Sequence, residues 1–297
     1  MPPTFEERTS SHVLVAIAAL TVAMISVQVG AALSKQLFPV VGAAGATSLR
    51  LIFATLILWA VWRPWRHWPK AGGWRPLLAY GAALGAMNLT FYMSLSRIPL
   101  GVAVALEFTG PLVVAVATSR RLRDLIYVAM AVAGVLLLLP LHAGSAHIDP
   151  VGALLALIAG GFWAAYIIFG QKAGRAAHGG SVAAIGMVVA TLVALPAGIA
   201  QAGADLLRPE LLPVAALVAL LSSAIPYSLE MISLKRLPAQ TFSILLSGEP
   251  MFGALFGLIL LDERLTAMQG LAIALIVAAS AGSSVSAARN RPAPKQL

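Results

Sequence analysis

Ser94-Leu95-Ser96-Arg97-Ile98-Pro99 falls on Ser233-Leu234-Lys235-Arg236-Leu237-Pro238 without a gap when the chain is slid against itself by 139 residues. The same shift lays Leu106 on Leu245, Pro111 on Pro250 and Ala115 on Ala254. A shift of 137 pairs Lys35 with Lys172, and one of 136 pairs Ala54-Thr55-Leu56 with Ala190-Thr191-Leu192. Single matches arise by chance in an Ala/Leu-rich chain, but ordered offsets argue for a duplicated unit. The reading predicts two halves, 1–145 and 146–297.

Composition says what each unit is made of. Of 297 residues, 60% are apolar and 10% charged, with a mean hydropathy of +0.90; soluble domains carry roughly 25% charged residues. An ordinary soluble globule and a disordered chain are thereby excluded, and the absence of cysteine excludes disulfide staples and thiolate metal sites. A bilayer core about 30 Å thick needs roughly 20 apolar residues per helix. Ten such spans fit, near 12–33, 42–62, 75–95, 100–118, 123–141, 150–170, 180–201, 211–233, 239–260 and 266–287. The first is read as a retained span, because Glu6 and Glu7 precede it and its apolar stretch is too long for a signal peptide.

The basic residues orient these spans. One side collects Arg8, the Arg63 to Arg75 cluster, Arg120, Arg121 and Arg123, Lys172 and Arg175, Lys235 and Arg236, and Arg289, Arg291 and Lys295, making 15 of the 20 Lys and Arg. The other side holds four, Lys35, Arg97, Arg208 and Arg264, and Arg50 lies inside the second span. By the positive-inside rule both termini are cytoplasmic. Basic patches for nucleic acid would not alternate with the spans, so the net charge of +9 does not point to that partner. Trp59, Trp62, Trp65, Trp68 and Trp74 crowd the basic loop after the second span as an interfacial belt. Because the repeat spans five helices, an odd number, equivalent helices cross in opposite directions. Such inverted halves can exchange conformations around a site at mid-depth, which is how secondary transporters alternate access.

The motifs Gly101-Val-Ala-Val-Ala-Leu-Glu-Phe-Thr-Gly-Pro-Leu112, Ile225-Pro-Tyr-Ser-Leu-Glu-Met231, Leu246-Ser-Gly-Glu-Pro250 and Leu261-Asp-Glu-Arg-Leu-Thr266 resemble the drug/metabolite transporter superfamily. Within it the chain is most similar to the EamA-type amino-acid exporters of the threonine/homoserine (RhtA-type) branch, almost from end to end. The resemblance implies a ten-helix plasma-membrane exporter of threonine, homoserine and similar neutral amino acids. A broader exporter that takes aromatic amino acids (YddG-type) and a drug or metabolite efflux carrier are the alternatives it leaves.

Polar groups in hydrocarbon mark the candidate site, since a charge at a helix centre costs about 2.5–3.5 kcal/mol on insertion scales. Glu107 in the fourth span and Glu249 in the ninth stand near the paired prolines Pro111 and Pro250, which are expected to kink both helices and open backbone to a cavity. Glu230 lies nearer the cytoplasmic end of the eighth span. Structural bonding to neighbouring hydroxyls, or pairing with Arg50, is the competing reading for all three carboxylates. For Arg50 snorkelling to the outer interface is the favoured reading over contact with substrate. Tyr80, Asn88 and Tyr92 recur at multiples of four along one stripe, and Asn88 maps onto Tyr227. Trp163 and Tyr166 share a face of the sixth span. Gln28, Ser243 and Ser247 complete a polar set across the pseudo-twofold axis, with interhelical hydrogen bonding as the plainer alternative. The small-residue runs Gly81 to Gly85 and Gly160-Gly161 are assigned to close helix packing.

No Gly-rich phosphate loop is present, and the five histidines fall in loops or at span ends, so neither ATP hydrolysis nor a metal site is expected. No cofactor is called for. A membrane-embedded enzyme is the alternative from another class, weakened by the lack of a nucleophile-base pair, and a channel would need a filter loop. The partners expected are an amino acid, the bilayer and protons. Glu107 and Glu249 carry the exchangeable protons at depth, so either is a candidate for coupling export to proton entry, with facilitated diffusion as the alternative.

Overall fold

Apolar segments that have no water for their amides close every backbone bond within themselves, and the described residues are accordingly helical, without a strand among them. The computed structural model describes residues 5–66, 68–69, 73–117, 125–138, 148–176, 179–237 and 239–289. The predicted join of the two halves at 145 lies outside them. The helices are α1 (Phe5–Ser34), α2 (Phe38–Trp62), α3 (Trp74–Leu95), α4 (Leu100–Glu107), α5 (Thr109–Ala117), α6 (Leu125–Leu138), α7 (Pro150–Ala176), α8 (Gly179–Ala202), α9 (Leu212–Ala219), α10 (Ile225–Arg236), α11 (Ala239–Leu246), α12 (Glu249–Leu261) and α13 (Ala267–Arg289). Among the described residues, six stretches are long and apolar enough to cross a membrane, the first being Leu14–Trp62, which runs from within α1 to the end of α2. Leu100–Val114 and Leu125–Leu138 are shorter apolar helices. The chain is thus an all-helical, multi-pass membrane protein.

At the kinks expected near Pro111 and Pro250 the regular helix is interrupted for one and two residues, while Phe108 and Gly248 keep right-handed helical dihedrals. Helix α4 stops at Glu107 and α5 starts at Thr109, while α11 stops at Leu246 and α12 starts at Glu249. Pro111 has no N–H for the Glu107 carbonyl, and Pro250 sits in the first turn of α12, where its fixed φ suits a helix start. Hydroxyls take up carbonyls at the gaps: Thr109 Oγ1 donates to Leu106 O at 2.6 Å and Ser247 Oγ to Ser243 O at 2.9 Å. These bonds brace the turns beside each proline, while the carbonyls of Glu107 and Leu246 have lost their i+4 donors. Every residue of α4 is buried, as expected for a helix that is apolar all round.

Helix α2 packs on α8, α3 on α7, α1 on α10, α4 on α12 and α6 on α13. Three side-chain bonds tie these pairs: Thr55 and Thr191 share a hydroxyl bond of 2.9 Å, Ser94 Oγ donates to Gly152 O at 2.8 Å, and Ser233 Oγ donates to Ala16 O at 2.8 Å. The closest backbone approach is between α5 and α7, where a Cβ on Gly110 would stand 1.9 Å from the Gly160 carbonyl oxygen. Gly85 likewise abuts the Ala190 carbonyl, whereas Gly161, also expected at a packed surface, faces open space.

The two ends of the bundle differ. At one, Trp59 pairs with Trp65 at 6.1 Å and Trp68 with Trp74 at 5.8 Å, and Trp59 Nε1 donates to Ala184 O at 3.0 Å. At the other, Lys35 Nζ meets Glu263 Oε1 at 2.5 Å, and Glu263 Oε2 accepts the Leu100 N–H, at the start of α4, at 2.6 Å. Beside them Arg97 Nη1 meets Asp149 Oδ2 at 2.8 Å, and Asp149 Oδ1 accepts the Val151 N–H at 2.8 Å, capping α7. The bond from Arg97, then that from Val151, hold the Asp149 carboxyl below the usual carboxylate range. A depressed carboxyl stabilises the fold above its unfolded value and loses that contribution as pH falls through the folded one. The melting temperature of Asp149→Asn is therefore expected to lie below wild type at neutral pH, with the gap closing as pH falls below the usual carboxylate range. A gap that persists there would rule out ionisation as its cause.

Candidate functional site

Between the broken helices lies a cavity of about 590 Å³. Its walls come from α2 and α3 (Arg50, Asn88, Tyr92), the α4–α5 break (Glu107, Phe108, Pro111), α7 (Trp163, Tyr166), α10 (Glu230) and the α11–α12 break (Ser243, Glu249). Nearer the tryptophan-rich end it reaches Gln171, Glu230 and Ser284. At the opposite end it is walled by Phe91 and Tyr92, whose rings pack at 6.0 Å, with Phe38 at 6.2 Å from Tyr92. The interruptions carry the carboxylates: Glu107 is the last residue of α4 and Glu249 the first of α12, so both side chains leave the chain beside a kink.

Most residues predicted from the sequence converge on this cavity. Asn88, Tyr92, Glu107, Trp163, Tyr166, Ser243 and Glu249 all line it, as does Pro111. Trp163 is held edge-on by Phe108, with centroids 5.2 Å apart and planes at 85°. Gln28 is 1% exposed and stands behind the wall, where its Nε2 donates to Glu249 Oε1 at 3.1 Å. Pro250 is buried outside the lining. Tyr227 lies in α10, and its side chain is outside the described residues.

Two expectations are corrected. Tyr80 does not line the cavity; at 6% exposure its ring stacks 5.0 Å from Tyr166 and fills the space left by Gly170 and Gly186. Eight residues of helix before Asn88 set it about 12 Å further along the axis and about 80° round it. Arg50 does not snorkel. It is 5% exposed on the cavity wall, with Nη1 donating to Ser222 Oγ at 3.2 Å, Nη2 donating to Asn88 Oδ1, and Cζ 4.8 Å from the Tyr92 ring centre.

The threonine/homoserine exporter RhtA of Escherichia coli (strain K12) is 51% identical over 269 residues, 91% of each chain, and that of Salmonella typhimurium (strain LT2) is 50% identical over 281 residues, 95% of each. The chain belongs to the RhtA family of exporters. The EamA-like transporter family matches residues 150–285, the later part of this RhtA-family chain. A crystal structure of a protein 19% identical superposes over 95% of this chain and 99% of its own with a TM-score of 0.57, which bears on the fold alone. RhtA relatives are exporters, so the membrane-enzyme alternative falls away.

Sequence reading missed several cavity residues in this RhtA-family member. Ser222 and Ser223 line it from a π-helical turn, Leu220–Ala224, between α9 and α10. Such turns re-aim side chains that simple 3.6-residue periodicity assigns elsewhere. Ser280 and Ser284 line it from α13, Ser280 sharing a 3.1 Å hydroxyl bond with Ser247. Their signal was a serine cluster in the last apolar span, Ser280, Ser283 and Ser284, too common in membrane helices to stand out.

Proposed function

We propose that this chain exports threonine and homoserine across the bacterial inner membrane by alternating access around the central cavity. The observation that carries the reading is a largely apolar cavity holding Glu107 and Glu249 at two interrupted helices, in a chain half identical to threonine/homoserine exporters over nearly its whole length. Broken helices at mid-depth supply polar backbone where a transporter binds its cargo. Glu107 and Glu249 present carboxylates for the substrate ammonium, and Ser243 and Tyr92 offer hydroxyl groups. The aromatic wall of Trp163 and Tyr166 packs on the substrate's short apolar part.

The inverted repeat is part of the same reading, with ten crossings in halves 1–145 and 146–297. It is supported by bonds that recur between halves. Ser94 to Gly152 and Ser233 to Ala16 are related by shifts of 139 and 136 residues, so one bond is the other with the halves exchanged. Thr55 and Thr191, mates in the repeat, touch each other, as do residues on the pseudo-twofold axis. With the tryptophan and arginine end facing the cytoplasm, as the Lys and Arg distribution requires, both termini are cytoplasmic and the cavity extends inward. The Lys35–Glu263 end then closes the outer side, and this is the state that loads cargo from the cytosol.

Proton antiport completes the cycle, with Glu107 or Glu249 taking a proton from outside and giving it up inside as the substrate ammonium competes for the charge. Counterflow in proteoliposomes with a panel of labelled amino acids tests the substrate assignment. Threonine and homoserine are expected to exchange in preference to phenylalanine and tryptophan. Equal exchange of the aromatic amino acids would favour the broader exporter, and flux of a cationic dye alone would overturn amino-acid export.

A further inference from the structure

The cavity is lined by three carboxylates, Glu107, Glu230 and Glu249, and by one guanidinium, Arg50. Arg50 has no carboxylate within 4.0 Å, the ion pairs among the described residues being Lys35–Glu263, Arg97–Asp149, Arg208–Asp205 and Arg264–Asp262. Its contacts are a serine hydroxyl, an amide oxygen and a tyrosine face, and its Nε is buried with no hydrogen-bond partner. Neutral acceptors fix the orientation of a guanidinium, and with the cavity's carboxylates beyond ion-pair distance its charge is only partly offset in a buried setting. If Arg50 served to neutralise one of the glutamates, an ion pair would be expected between them. A planar fork held in place on a cavity wall with no anion in direct contact fits a carboxylate arriving as ligand.

We infer that Arg50 receives the α-carboxylate of the transported amino acid, with Asn88 and Ser222 acting as positioning residues for the guanidinium. The inference rests on the proposed export of amino acids and narrows it. Substrates must carry a free carboxylate beside the ammonium group, and Glu107 and Glu249 take the opposite charge. Amino alcohols and amino-acid amides of the same size and side chain are excluded by leaving the guanidinium unanswered. Selection then depends on the α-amino-acid core first and on the side chain second.

The test is competition against labelled threonine counterflow in proteoliposomes by unlabelled threonine and by threoninol, which lacks only the carboxylate. In wild type threoninol is expected to compete about 30-fold or more weakly than threonine, the scale of an unpaired buried charge. In Arg50→Lys, which keeps the charge but loses the fork, the affinity for threonine is expected to fall while threonine remains preferred. In Arg50→Gln the preference is expected to vanish. A merely structural Arg50 would lower transport of both ligands without changing their ratio, and that result overturns the inference. Equal competition by threoninol in wild type overturns it without any variant, so it does not depend on Arg50→Gln folding. Absence of threonine counterflow in wild type would overturn the export reading itself, and this assignment with it.

Discussion

At least one of Glu107→Gln and Glu249→Gln is expected to abolish threonine uptake driven by a pH gradient into vesicles while threonine counterflow persists, at lower affinity because the ammonium loses one carboxylate. The substitution keeps the shape of the side chain and its capacity to accept a hydrogen bond. It removes only the exchangeable proton and the charge. Glu249 is the better placed of the two to survive it structurally, because the bond from Gln28 Nε2 to Oε1, 3.1 Å long, can be made to an amide oxygen as well. Counterflow requires the loaded carrier to reorient and nothing more, whereas gradient-driven uptake requires the empty carrier to return carrying a proton. A residue that moves the proton is therefore dispensable for turnover in the first assay, where its loss shows as weaker binding, and essential in the second. Should both variants keep full gradient-driven uptake, coupling through these carboxylates is refuted, and Glu230, the remaining carboxylate of the cavity, becomes the residue to replace. If wild type itself shows no response to the gradient while counterflow proceeds, export is downhill and the two glutamates serve binding alone.

Much of this site was legible because charge in hydrocarbon is rare enough to be read singly. Glu107 and Glu249 stood out against apolar spans, and their prolines marked where the helices would yield. What the sequence could not convey was depth. Counting from a span that begins at residue 42 places Arg50 near an interface, and the backbone does break there, at Gly42, with φ 67° and ψ 178°. Eight residues of rise from that kink put Arg50 about 12 Å into the helix, and what keeps it from snorkelling is that its guanidinium is turned to Ser222 and Asn88. Tyr80 shows the same limit along another axis: a period of four keeps residues roughly on one stripe but says nothing about which end of the stripe meets the cavity. Ser222 depended on a π-helical turn, which has no sequence pattern of its own. Helices, then, were read from composition, whereas the levels at which their side chains meet were fixed by interruptions and by close approaches such as Gly110 on Gly160.

The second large effect expected is at the opposite end of α4 from Glu107. Glu263 links three segments there, since its Oε1 meets Lys35 in the α1–α2 turn, its Oε2 takes the first N–H of α4, and its own N–H bonds Gly257 O at 3.0 Å. Both charged side chains of the pair are largely buried, so solvent screens them less than an exposed pair. Hydrogen bonds to charged groups contribute about 1.5–3 kcal/mol each, and alternating access requires the two states to differ by no more than a few kcal/mol. Removing the Lys35–Glu263 bond is thus expected to shift the balance towards an outward-open state by roughly 10-fold to 100-fold. The chain has no cysteine, so a single Ala31→Cys on the cavity wall reports access directly. Combined with Glu263→Gln or Lys35→Ala, it is expected to react faster with a membrane-impermeant thiol reagent added from outside, and more slowly with one added from inside. Glu263→Gln retains an acceptor for the Leu100 N–H, so α4 keeps its start and the change can be assigned to the lost charge. If reactivity from both sides is unchanged in both variants, the ion pair ties the loops together without holding the outer side shut. In that case closure rests on the ring packing of Phe38, Phe91 and Tyr92 alone.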